Sequence, residues 1–297
     1  MNVDVAIVNA FVIQGEGQGE GGNPAGVVLD ADQYNNEQKL EIAKQVGLSE
    51  TAFVSQSDIA DFKLDFFTPN RQIAHCGHAT IATFNLLSAK GLVKNSHSSK
   101  ETVDGIREVI VGDNSAFMEQ LKPRYEALPD YQERVLASLN LQQNDISDQA
   151  ILVNTGNSFI LVGVKDAQTL ADIEPNLALI ETISDELDLI GYYVYSMETN
   201  LPTSDASTRM FGPRYGIVEE AGTGMAAGPL ACYLYDYKSH EDSKLKKQTF
   251  LIEQGYAMKP ASPSLLEAKL EINDTGIKGL KVGGSARVSK RLTIEIE

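Results

Sequence analysis

The sequence predicts an α+β fold built from two pseudo-repeated domains. Two observations carry this. Several short motifs recur in the same order in the two halves, and strand-like segments, some alternating apolar with polar residues, outnumber helical ones.

The repeat begins with a Gly-Asn pair ahead of an apolar run. Gly22-Asn23 precedes Val27-Val28-Leu29, and Gly156-Asn157 precedes Phe159-Ile160-Leu161-Val162. Each run leads to an amphipathic helical pattern, the first over residues 37–46 with Leu40, Ile42, Ala43 and Val46 apolar, the second over 177–189. A strand follows in each half, Ala52-Phe53-Val54 and Tyr192-Tyr193-Val194-Tyr195. An F-x-P-x-x-x-I segment comes next, with Phe67, Pro69 and Ile73 in one copy and Phe211, Pro213 and Ile217 in the other, all at one offset.

Both copies then run into a glycine-marked helix start. Cys76-Gly77-His78-Ala79-Thr80 leads into a helix over 81–89 with Gly91 as its stop. Ala221-Gly222-Thr223-Gly224-Met225 leads into one over 226–237, where Pro229 is tolerated only near the start. Phe62, Leu64 and Phe66 alternate with Lys63 and Asp65, the period of a half-buried strand, and residues 292–297 alternate the same way. The repeat places a domain boundary near residue 118.

Composition narrows the function classes. The net charge of −16, from 41 acidic and 25 basic residues, repels nucleic acid and anionic membranes, so neither is an expected partner. No stretch approaches the ~20 apolar residues of a membrane helix. Residues 1–12 carry Asp4 and no Lys or Arg, unlike a secretory signal. Two cysteines, Cys76 and Cys232, make no disulfide framework, and a reducing, cytoplasmic setting is expected.

Residues 15–22 contain a formal G-x-G-x-x-G at Gly17, Gly19 and Gly22. A dinucleotide site needs a helix next, whereas Asn23-Pro24-Ala25-Gly26 reads as a turn into another strand. Glu16 and Glu20 would also sit beside the phosphates, so a hairpin loop is expected instead.

The two helix starts are the candidate binding elements. First-turn N–H groups lack helical partners, the dipole adds positive charge, and glycine admits a ligand close to the backbone. Such an end holds a carboxylate or phosphate without Lys or Arg. An acidic protein could hold a small acid in this way, if two related domains face each other across one cleft.

The same residues carry a family resemblance. Leu48-Ser49-Glu50-Thr51-Ala52-Phe53, Phe67-Thr68-Pro69, Cys76-Gly77-His78-Ala79-Thr80 and the run from Gly216 to Gly224 resemble the signature segments of PhzF-like phenazine-biosynthesis isomerases. Gly22-Asn23-Pro24-Ala25, Gln254-Gly255 and Gly283-Gly284 do as well, in order along nearly the whole chain. The resemblance implies a diaminopimelate epimerase-like fold, each domain a mixed β-sheet wrapped around a central helix. By that analogy the last strand returns to the first domain, giving 1–118 with 286–297 and 119–285. It further implies cofactor-free isomerisation of a small carboxylated substrate held between the domains, and a homodimer.

Carried over by position, the acid/base glutamate falls on Glu50 and the active-site histidine on His78, with Glu220 as a further catalytic carboxyl. Substrate-binding positions fall on Ser49, Gly77, Thr223, Gly224, Met225 and Asn23. The chain departs from the pattern in the second copy. Glu220-Ala221 stands where the family has Asp-Pro, and Met225 replaces a serine hydroxyl.

Three alternatives stay open on the residues alone. His75, Cys76 and His78 suggest a metal, but further ligands are lacking and none is expected. A two-thiol epimerase would place cysteines at both helix starts, and Ala221 occupies the second position. A catalytically silent small-acid-binding protein would keep the fold without the proton transfer.

Overall fold

In a computed structural model, residues 1–15 and 21–296 are described. Gly17, Gly19, Glu16 and Glu20 of the glycine-rich stretch lie outside the described residues. Gly22 is followed by a strand and not a helix.

The chain runs β1 (Asn2–Ala10), β2 (Asn23–Val28), α1 (Asn36–Val46), β3 (Thr51–Ser55), β4 (Phe62–Phe67), β5 (Gln72–Ile73) and α2 (Gly77–Ala89). Strands β6 (His97–Thr102), β7 (Gly105–Gly112) and β8 (Ser115–Gln120) follow. Next come β9 (Arg124–Ala127), α3 (Gln132–Ser138), β10 (Ile146–Asn154), β11 (Ser158–Val164), α4 (Ala167–Asp172) and α5 (Leu177–Leu187). The remainder is β12 (Gly191–Ser196), β13 (Ala206–Gly212), β14 (Ile217–Glu220), α6 (Gly224–Tyr233), β15 (Thr249–Gln254), β16 (Ser264–Asn273) and β17 (Gly276–Glu295). Two compact units result, Met1–Glu119 with Gly283–Glu297, and Gln120–Val282.

Each unit repeats one pairing scheme. In the first, β1–β2 and β3–β4 are antiparallel while β2–β3 and β4–β6 are parallel. In the second, β10–β11 and β12–β13 are antiparallel while β11–β12 and β13–β15 are parallel. The parallel steps need crossovers, and the helices supply them. Helix α1 joins β2 to β3 and α2 lies between β5 and β6. Helices α4 and α5 join β11 to β12, and α6 lies between β14 and β15. In the first unit the sheet closes on itself, because β8 pairs with β17 and β17 with β1. Closure requires Gly283, since a Cβ there would sit 1.9 Å from the Ala116 carbonyl oxygen.

A helix inside a sheet is buried on all sides, and α2 is. Ten of its residues are buried, Ile81, Phe84, Leu86 and Leu87 among them. Three of its buried polar side chains donate to carbonyls one turn earlier. Thr80 Oγ1 donates to the Cys76 carbonyl at 2.6 Å, Thr83 Oγ1 to Ala79 at 2.7 Å and Asn85 Nδ2 to Ile81 at 2.8 Å. Helix α6 is its counterpart, with eight buried residues. Pro229 stands at its sixth position, past the first turn, and the helix continues to Tyr233 before a π-helical turn over Leu234–Lys238. The expected single helix over 226–237 therefore starts earlier and changes pitch near its end.

The outer face of the first sheet is covered by α1, with Ile42 and Ala43 against Val5, Ile7, Phe53 and Ile294. In the second unit Ile180 and Ile183 of α5 join Ile160, Val162, Tyr192 and Val194. Strand β4 is not half-buried as its alternation predicts: from Leu64 to Phe67 every residue is buried. Asp65 is accommodated by Lys39, which occupies the sheet-facing side of α1 with its Nζ 2.6 Å from Asp65 Oδ2. Removing one partner of a buried pair strands the other charge. Lys39→Ala is expected to lose about 3–5 kcal/mol in urea unfolding, whereas Lys39→Met with Asp65→Leu should stay near wild type.

Candidate active site

Helix α2 opens with Cys76 as its extended N-cap, and the thiol makes no cap hydrogen bond. The first-turn N–H groups of Gly77 and His78 thus receive no acceptor from the cap side chain. His78, the second helical residue, is buried with its ring between two partners. Nδ1 lies 3.6 Å from Cys76 Sγ, and Nε2 lies 3.3 Å from Glu50 Oε2.

The connection from α1 to β3 delivers Glu50. Gly47 ends α1 in the left-handed conformation at φ 69°, and the Glu50 carbonyl accepts from the Gly26 N–H at 3.0 Å just before β3 begins. Glu50 is only 8% exposed, and its Oε2 has no aligned hydrogen-bond donor among the described residues. A buried carboxylate oxygen left this way is costly unless it has work to do. Ser49 beside it is exposed, and Asn23 is buried at the head of β2.

Glu50, Cys76 and His78 offer donor atoms within 4.8 Å of one another. The imidazole faces the thiol with Nδ1 and the carboxylate with Nε2, and the three side chains converge on one another. Burial, ahead of the opposing influence of His78, pushes the Cys76 thiol up, and it is neutral. Burial pushes Cys232 up as well.

In the second unit Glu220 ends β14 and Thr223 is the N-cap of α6, followed by Gly224 and Met225. The Thr223 hydroxyl donates a short hydrogen bond to Glu220 Oε2 and accepts from Gln254 Nε2 at 3.1 Å. Gln254 also donates to the Glu220 carbonyl at 2.6 Å. Its Oε1 accepts from the Thr223 N–H and from the Tyr193 hydroxyl, both at 3.0 Å. The hydroxyl and N–H of Thr223 are thus engaged within the protein. Met225 Sδ accepts from Asn157 Nδ2 at 3.3 Å.

The structure therefore brings Glu50 to His78 in one unit and Glu220 to Thr223 in the other. Sequence reasoning passes over Gln254 as a site residue. The signal was Gly255 beside it, which holds φ 85° and lies where a Cβ would be 2.1 Å from the Ser262 carbonyl oxygen.

A family profile described as phenazine biosynthesis-like protein, PhzC-PhzF, matches residues 15–291. The chain belongs to this family. Among curated PhzF-like relatives, an uncharacterized isomerase of Clostridium acetobutylicum is 31% identical over 90% of this chain and 91% of its own length. Another, from Bacillus subtilis, is 29% identical over 86% of this chain and 87% of its own. The crystal structure of a PhzF-family protein from Bacillus anthracis superposes with a TM-score of 0.88 at 26% identity, covering both chains fully. A hydroxyproline epimerase from Agrobacterium vitis shares the fold alone, with a TM-score of 0.57 at 12% identity over 99% of this chain and 92% of its own. The PhzF-like chain is accordingly an isomerase with a diaminopimelate epimerase-like fold.

Two outcomes follow from this geometry. Gln254→Met removes the acceptor of the Thr223 N–H and a donor to the Glu220 carbonyl, and is expected to lose more than about 2 kcal/mol in urea unfolding. Both thiols should react with a disulfide reagent at least about tenfold more slowly in the native protein than in denaturant, because each is buried and neutral.

Proposed function

We propose that the chain moves a proton within a small carboxylated substrate, with Glu50 as the group that takes it from one carbon and returns it to another on the same face. The observation that carries this reading is Glu50 Oε2, buried, without an aligned donor among the described residues and 3.3 Å from His78 Nε2. A proton carrier needs a lone pair free to meet a C–H bond and a neighbour that holds the carboxyl in place. His78 is that neighbour, fixed by its position in the first turn of a buried helix.

The substrate carboxylate is assigned to helix-start N–H groups, with Gly77 and Gly224 allowing close approach of the backbone. Glu220 is assigned a charge-sharing part, which its anchoring by Thr223 and Gln254 supports. The chemistry proposed needs no metal and no organic cofactor, because the groups named carry every proton moved.

The test is solvent deuterium incorporation into small carboxylated dienes, hydroxyanthranilate-like acids and amino acids. Wild type should label at least one compound, and Glu50→Gln should lower the rate by about 10²–10⁴-fold. Labelling that survives Glu50→Gln sinks the assignment. Binding of a panel acid without any labelling favours a silent small-acid-binding protein.

A further inference from the structure

Strand β6 alternates with polar residues on its buried side, namely Ser98, Lys100 and Thr102. Lys100 is 0% exposed. Its Nζ donates to Thr80 Oγ1 at 2.6 Å and lies 3.2 Å from His75 Nδ1 and 5.0 Å over the ring of Phe66. Thr80 Oγ1 in turn donates to the Cys76 carbonyl. The lysine is therefore joined by one hydroxyl to the N-cap of α2. Among the described residues no carboxylate lies within ion-pair distance of Nζ, and a buried ammonium in that position lacks its counter-ion.

The groups facing it are neutral or remote. His75, set against the amine, is held down to about 3 chiefly by burial and next by Lys100, so its ring is neutral. Cys76 is a neutral thiol. Asp104 and Arg107 act on the amine in opposite senses from the β6–β7 turn and from β7, and pair with each other at 3.3 Å. Burial is the largest influence and brings Lys100 down to about 7.

We propose that Lys100 is a positioning residue whose buried charge is the counter-ion for a carboxylate bound at the α2 start, so that carboxylate binding is coupled to proton uptake by Lys100. The inference rests on the reading of that helix start as a carboxylate cradle. It adds what backbone dipoles alone do not supply, a charge that answers to pH. By linkage, an anion that favours the ammonium binds more tightly on the acid side of its titration, and the ammonium is favoured equally by the anion.

Wild-type protein carrying ¹³Cε-labelled lysine is titrated with and without acetate, beside Lys100→Met. One lysine should titrate near neutral pH and be missing in the variant, and acetate should move its midpoint upward. About tenfold tighter acetate binding on the acid side corresponds to about one pH unit of that movement. Wild type should also gain stability relative to Lys100→Met as pH rises from about 7 toward the ordinary 10.5, because the unfolded chain then binds the extra proton. A midpoint that acetate leaves in place, or a Lys100 that keeps its proton to ordinary lysine pH, overturns the proposal. Glu50→Gln separates the two readings: acetate-coupled titration should persist in it even though labelling of substrate is lost.

Discussion

A helix enclosed by strands can do chemistry only at its ends. That constraint organises both units. Helix α2 has buried side chains on every face, and Thr80, Thr83 and Asn85 bond back to carbonyls one turn earlier. What remains to meet a ligand is the first turn, where the helix dipole concentrates positive charge. Glu50 and His78 stand at that turn. Closure of the strand ring fixes where the turn is presented, and the ring closes only because Gly283 lets β17 pass against β8.

The two helix starts have diverged in how they use their hydrogen bonds. In the first unit the carboxylate keeps an oxygen without an aligned donor beside an imidazole. In the second, the carboxylate of Glu220 is tied to Thr223, and Thr223 to a fully buried glutamine that also braces Tyr193. The carboxylates near the two helix starts thus differ, one with an oxygen lacking an aligned donor among the described residues, the other clamped. Substituting glutamate for the family's aspartate lengthens the second side chain, and the clamp gives that extra reach a defined end.

Much of this was legible in the sequence because it rests on local pattern. The offset between Phe67-x-Pro69 and Phe211-x-Pro213 reports a duplicated strand and loop, and the C-terminal alternation reports a strand with Ile294 and Ile296 inward. Glu50 and His78 were named as candidates because they fall within motif segments, and the structure sets them beside each other. Two of the misses share a physical source, polar residues facing inward. Asp65 looked like a solvent-side position because its partner Lys39 lies 26 residues away on another element. Lys100 sits among Ser98 and Thr102 in a segment with no apolar period, so nothing local marks its burial. Pro229 reads as a helix breaker by itself, and the structure accommodates it within a buried helix.

Strand β1 is paired to β17 from Asn2↔Glu295 to Ala10↔Ala286, and the Ser289 hydroxyl reaches the Ile7 carbonyl across 282 residues. During synthesis the N-terminal barrel therefore waits, one stave short, while the whole of the second unit leaves the ribosome. The second unit has all of its own strands by Val282 and can reach its native pairing first. Until the last strand arrives, β1 presents an open edge of apolar residues, Val3, Val5 and Ile7, to whatever strand is near. Handling of the nascent chain, more than the stability of the finished fold, is then the step at which this architecture is most exposed to misassembly.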